Sequence, residues 1–177
     1  MKKKGEFFLE FEIDKITNSI ENAISGEVFQ TEITLLSLID EKQINKKDWG
    51  FDWHSELVDN SKRIYKINTV ENPNIIQGLV CLTDKGDHIF MDLIEAAKFN
   101  KGHKKLYLGV AGNLVAFVCK YSFELGYDGI VSFIAKTQLI EHYQISLGAK
   151  LFGRNRMFID KKESLFLVKQ YFKEFEL

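Results

Sequence analysis

Apolar residues Ile13, Ile16, Ile20 and Ile24 recur at helical spacing, which predicts a helix that Ser25-Gly26 ends. The period changes from Val28 to Leu38. There Phe29, Thr31, Ile33 and Leu35 alternate with polar neighbours, as on a strand with one buried face. The polar, basic stretch Glu41 to Asp48 and the pair Trp49 and Trp53 read as a loop and a short helix. Three strands follow, at Arg63 to Val70, Ile75 to Thr83 and His88 to Ala96. The turn signals Asn72-Pro73-Asn74 and Asp84-Lys85-Gly86-Asp87 join them into an antiparallel meander. From residue 88 onward, strand and helix alternate. Gly112 to Leu125 carries the apolar stripe Leu114, Phe117, Val118, Tyr121 and Leu125, with Gly126 where a left-handed cap belongs. Gly129 to Ala135 is a buried-type strand, and Thr137 to Leu147 is a helix closed by Gly148. Val168, Tyr171, Phe172 and Phe175 predict a last helix within Glu163 to Phe175. Crossovers through a helix join parallel strands, so 88–96 and 129–135 should pair in parallel. The fold class is α/β, with a mixed and mostly antiparallel sheet.

A chain of 177 residues fits one domain, 1–177, and its fifteen phenylalanines supply a sizeable core. There is no repeat and only one proline, Pro73, so nothing marks a linker. The net charge of −1 gives no general attraction to nucleic acid or to a membrane surface. The start Lys2-Lys3-Lys4 leads through Gly5-Glu6 into an amphipathic run and not a long apolar one, so no signal peptide is expected. No window approaches the roughly 20 apolar residues of a membrane span. Cys81 and Cys119 sit among apolar neighbours, the pattern of buried free thiols, and a cytoplasmic location fits them.

Chemistry enters at Leu106-Tyr107-Leu108-Gly109-Val110-Ala111-Gly112-Asn113-Leu114-Val115. Backbone N–H groups at a helix start can cradle phosphate when no side chain blocks the approach, and Gly109, Ala111 and Gly112 meet that condition. A dinucleotide fingerprint needs a third glycine where Leu114 stands, and a nucleotide P-loop needs Gly-Lys-Ser/Thr; neither is present. Farther on, the second helix carries His142-Tyr143-Gln144-Ile145-Ser146-Leu147-Gly148-Ala149. Taken in order, the loop, helix, strand and tyrosine-bearing helix resemble the acyl-CoA-binding half of the GCN5-related N-acetyltransferases over roughly residues 62–159. The family motif runs Gln or Arg, two residues, Gly, one residue, then Gly or Ala. Gly109-Val110-Ala111 matches its second half and Leu114 its helix leucine, whereas Leu106 departs from the first position. Lys104 or Lys105 would have to supply the missing positive charge. The spacer after Tyr143 is one residue longer than usual, and Ala149 replaces a phenylalanine. The family also has two helices between its first two strands, where only Glu41 to Asn60 is available. It ends on an antiparallel strand where periodicity here gives a helix.

The resemblance implies an acyl-CoA-binding core at 62–159, an acceptor-side segment at 1–60 and a C-terminal helix at 163–175. It implies an acyl-CoA-dependent N-acetyltransferase, with acetyl-CoA as cosubstrate and a small or peptidic amine as acceptor, acting as a monomer or homodimer. The cofactor would rest on the backbone of Leu108, Gly109, Val110, Ala111, Gly112 and Asn113. Parallel strands that diverge beside Tyr143 would admit the pantetheine arm. Glu95, acidic within an apolar strand, would deprotonate the amine once burial raised its pKa; the alternative is a carboxylate at the strand's exposed end, salt-bridged to a lysine. Tyr143 would protonate the departing thiolate, or else complete a core stripe with Leu139 and Leu147. Lys98, Lys101, Lys104 and Lys105 would neutralise phosphates or stay as solvated loop charge. Trp49, Phe51 and Trp53 either line the acceptor cleft or form core. His54, His88 and His103 show no metal-ligand spacing, so no metal is expected. A different class of function also fits the departures at Leu106 and in the tyrosine helix: a non-catalytic acyl-CoA- or partner-binding module that keeps the fold.

Overall fold

The computed structural model describes residues 7–16 and 19–177, and the basic start at Lys2-Lys3-Lys4 lies outside them. No helix forms across the described part of Ile13 to Ile24. Residues 11–16 run without regular structure and β1 (Ile20–Asn22) is a strand, while 17 and 18 lie outside the described residues. Pairing outweighs the helical spacing here. β1 is held between β2 (Val28–Phe29) and a later strand in a small antiparallel sheet. Asn22 turns the chain, its Oδ1 accepting from the N–H groups of Ile24 and Ser25.

The predicted strand at 28–38 is two strands, because the chain changes sheets at Gln30. β3 (Thr31–Leu35) leaves the small sheet to pair with β4 (Arg63–Thr69). Between them lie a 3-10 turn at Leu38–Gln43 and the short helix α1 (Trp53–Leu57), so this stretch holds two helical pieces after all. The meander continues through β5 (Gly78–Asp84) and β6 (Ile89–Ala96). Next come β7 (Tyr107–Leu108), which pairs with β1, and then α2 (Val110–Glu124), β8 (Val131–Ile134) and α3 (Ile140–Leu147). The chain closes with β9 (Lys150–Leu151), β10 (Arg156–Ile159) and α4 (Lys161–Tyr171). The antiparallel strand β10, which periodicity did not pick out, therefore precedes the expected last helix. Asp160 separates the two by capping α4, its side chain accepting from the Glu163 N–H.

The main sheet has seven strands in the order β3-β4-β5-β6-β8-β10-β9, and β6–β8 is its parallel pair. Leu114, Val115 and Val118 of α2 pack on one face together with Leu167 and Val168 of α4. The opposite face carries a second cluster that includes Trp49, Trp53, Leu79 and Leu93. Cys81 and Cys119 are buried and free, and burial pushes the Cys119 thiol up to about 12. A thiol protonated to that extent is not a nucleophile. Among the described residues, no helix is long and apolar enough to cross a membrane.

One irregularity positions the site. Leu82 stands opposite Met91 but Cys81 stands opposite Leu93, so Asp92 is an extra residue in β6. A bulge of this kind bends its strand and increases the local twist. β6 and β8 pair only at Ile89–Val131 and Phe90–Ser132, and beyond the bulge they part. A cleft opens there, with the end of β6 on one side and the end of β8 on the other.

Candidate active site

Gly109 ends β7 with a φ of 86°, a left-handed conformation that favours glycine, and it serves as the N-cap of α2. The first N–H groups of a helix have no partner within the helix, so Val110, Ala111 and Gly112 present donors at the end of the cleft. Neighbouring backbones approach this turn closely. A Cβ on Gly78 would strike the Val110 side chain, and one on Gly112 would strike the Tyr171 hydroxyl. Gly112 is therefore kept bare by packing against α4. Asn113 is turned inward, its side-chain amide donating to Thr31 Oγ1 at 3.1 Å. Leu106 is about half exposed and brings no charge to the loop.

An anion already rests on this helix start. Asp14 Oδ1 accepts from the Gly109 N–H at 3.1 Å, and Asp14 Oδ2 pairs with Lys105 Nζ at 3.1 Å. Asp14 belongs to residues 7–16, which run through the cleft. Leu9 forms a parallel bridge with Ala135, donating to the Ile134 carbonyl at 2.7 Å and accepting from Lys136 N–H at 3.1 Å. The segment thus pairs with β8 where β6 has left it. Of the other lysines near the loop, Lys101 pairs with Glu95, Lys98 reaches the Lys47 carbonyl and Lys104 is exposed.

Tyr143 is fully buried, with its ring edge-on to Phe133, and its hydroxyl donates to the Phe11 carbonyl at 2.6 Å. Burial pushes the phenol pKa up, and the charges of Glu10 and Glu12 add to the rise. His142 faces the same segment, its Nε2 accepting from the Ile13 N–H at 2.8 Å.

Glu95 departs from expectation in its chemistry. Oε1 accepts from Phe51 N–H (3.2 Å) and the Trp53 indole (2.8 Å); Oε2 accepts from Gly50 N–H (2.8 Å) and Lys101 Nζ (2.5 Å). Burial alone would lift this carboxyl, but Lys101, Trp53 and Gly50 outweigh it and hold it below the usual carboxylate range. The expected rise is replaced by a fall. The side chain is a knot that ties residues 50–53 and Lys101 to β6.

A cavity of about 320 Å³ is walled by Glu95, Val110, Ala111, Lys101, Lys105 and part of the segment; Tyr143 and His142 are not in its lining and touch the segment instead. Phe51 also lines it, whereas Trp49 and Trp53 are core. Among the described residues, no group of three or more side chains could hold a metal ion. Three contributors escaped the sequence reading: Asp14, Phe11 and Lys101 as the partner of Glu95. A signal for the first two was present. Leu9-Glu10-Phe11-Glu12-Ile13-Asp14 alternates apolar and acidic residues at period two, a strand signature that the helical spacing farther on obscured.

No protein-family model and no curated protein matches this chain. Solved structures do. Spermidine N-acetyltransferase from Vibrio cholerae, in complex with CoA and spermine, superposes with a TM-score of 0.55 at 16% identity, over 77% of this chain and 98% of that one. IAA acetyltransferase from Bacillus cereus gives 0.51 at 10% identity, over 73% and 96%. The fold is that of the GCN5-related N-acetyltransferases. Within that GNAT fold, the short helical pieces between β3 and β4 stand where two helices are expected, and β10 supplies the late antiparallel strand.

Proposed function

We propose that the chain is an acyl-CoA-dependent N-acetyltransferase that moves an acetyl group from acetyl-CoA to a small or peptidic amine. The observation that carries this reading is convergence. The α2 start at Val110 and Ala111 and the end of β6 line one cavity with residues of the 7–16 segment, whose Phe11 carbonyl accepts from the Tyr143 hydroxyl. That the similar Vibrio cholerae enzyme was solved with CoA and spermine supports the cosubstrate and the amine class.

Transfer from a thioester to an amine needs a neutral amine, a stabilised tetrahedral oxyanion and a proton for the departing thiolate. We assign the pyrophosphate to the backbone from Leu108 through Gly109, Val110, Ala111 and Gly112 to Asn113, where the helix dipole favours anions. Lys105, beside that loop, is the cation that compensates for Leu106. Tyr143 is the proton donor to the thiolate. Its raised pKa keeps the proton in place until a base forms beside it. Glu95, with two donors on each oxygen and a lowered pKa, is a positioning residue; the amine proton leaves through water.

The second reading is a non-catalytic acyl-CoA- or partner-binding module. The occupied groove and the uncharged Leu106 favour it. Thiol release from acetyl-CoA, measured across a panel of amines and polyamines, separates the two. Turnover with at least one amine is expected. Tyr143→Phe should lower it on the order of 10²-fold, the usual reach of one general acid, while the packing of the ring survives. Acetyl-CoA binding with no thiol release on any amine would leave the module reading in place.

A further inference from the structure

Residues 7–16 make, one after another, the contacts that an extended ligand in this groove would make. The edge of β8 that β6 leaves past Ser132 has backbone groups that need partners, and Leu9 supplies them through the Ile134 carbonyl and the Lys136 N–H. The pantetheine arm of CoA is itself an extended chain with two amides. Midway along the segment, the Phe11 carbonyl accepts from the Tyr143 hydroxyl, the group assigned to the thiolate. At its end the Asp14 carboxylate sits on the Gly109 N–H with Lys105 as counter-ion, an anion where the phosphates are assigned. Leu9 and Ile13 are buried at 1% and 7% exposure, so this is a seated segment and not a surface drape.

We infer that residues 7–16 are an internal occupant of the acyl-CoA groove, and that acetyl-CoA binds only when they leave. The inference rests on the acyl-CoA reading above. A ligand entering where β6 and β8 part meets the segment seated on the β8 edge, and a phosphate at the Gly109 N–H meets the Asp14 carboxylate paired with Lys105. The segment therefore acts as an autoinhibitory strap. The cofactor's apparent dissociation constant equals its intrinsic value divided by the fraction of molecules with the groove open.

The test uses the full chain. Amide hydrogen exchange is followed at Leu9 and Ile13 with and without saturating acetyl-CoA, and acetyl-CoA affinity is measured for the parent, Asp14→Asn and Leu9→Pro. Asp14→Asn weakens a charge-assisted contact and should tighten acetyl-CoA binding about tenfold. Leu9→Pro removes the donor to Ile134 and should tighten it at least as much. In the unaltered protein, acetyl-CoA should strip protection from Leu9 and Ile13, a readout that does not depend on either variant folding well. Saturation by acetyl-CoA with both amides still protected would overturn the strap and leave the acyl-CoA reading standing. Failure of the parent and of both variants to bind acetyl-CoA would overturn the acyl-CoA reading, and the strap with it.

Discussion

Glu95 illustrates how a site residue can be found by pattern and misjudged in chemistry. An acid in the apolar run Asp92-Leu93-Ile94-Glu95-Ala96 announces a buried carboxylate. The sign of its pKa shift, however, depends on donors 42 to 45 residues away and on Lys101, which no local pattern encodes. The sign has a consequence for stability. A carboxylate whose folded pKa is depressed stabilises the fold above its unfolded pKa and loses that contribution as pH falls through the folded value. The parent should therefore lose stability in acid, below the ordinary glutamate value of 4.5. Glu95→Gln should cost about 1.5–3 kcal/mol at neutral pH, the worth of a charged hydrogen-bond acceptor, and should flatten that part of the acid profile. Urea unfolding from pH 3 to 7 measures both. If catalysis follows the positioning role, the acidic limb of kcat/KM stays where it is in the variant; a limb that disappears would return Glu95 to the part of base. Tyr143 was legible as a pair of alternatives; the structure shows a buried ring whose hydroxyl donates to the Phe11 carbonyl, and the thiolate role stays the proposal made above.

Elements with long, uniform periodicity were the readable ones. β4, β5, β6, α2, β8 and α3 lie within a few residues of their expected bounds because burial of one stripe or face decides each of them. The errors fall where a segment is stabilised by a distant partner. β1 and residues 7–16 are extended because β2, β7 and the edge of β8 complete their hydrogen bonds, which outweighs the spacing of Ile13, Ile16, Ile20 and Ile24. β10, four residues long, is recruited by β8. The start of α2 is the proposed phosphate site, and Gly109→Asp tests it. Asp tolerates the left-handed conformation better than most residues, but its carboxylate would repel that of Asp14 on the same turn, so the stability cost should be about 1–3 kcal/mol. The same charge faces any phosphate brought to the turn, and calorimetry should find acetyl-CoA binding lost. A variant that binds as tightly as the parent would move the cofactor away from this loop.

At the scale of the whole molecule, one bulge organises the function. Asp92 is an extra residue where β6 parts from β8, Leu9 pairs with the β8 edge left there, and that edge and the α2 start flank the groove proposed above for acyl-CoA. The α/β class, the parallel pair and the glycine-started helix were legible in the sequence, since each follows from local order and crossover handedness. The bulge, the small second sheet and the occupied groove were not, since each is a product of the assembled sheet. The account stands or falls on where acetyl-CoA touches the protein. The most direct measurement is a titration of the 15N-labelled full chain with acetyl-CoA, read by amide chemical shifts. The largest changes are predicted at Gly109, Val110, Ala111 and Gly112, with Leu9 and Lys136 moving in step. Saturable binding that leaves the amides of residues 109–112 unmoved would contradict the account.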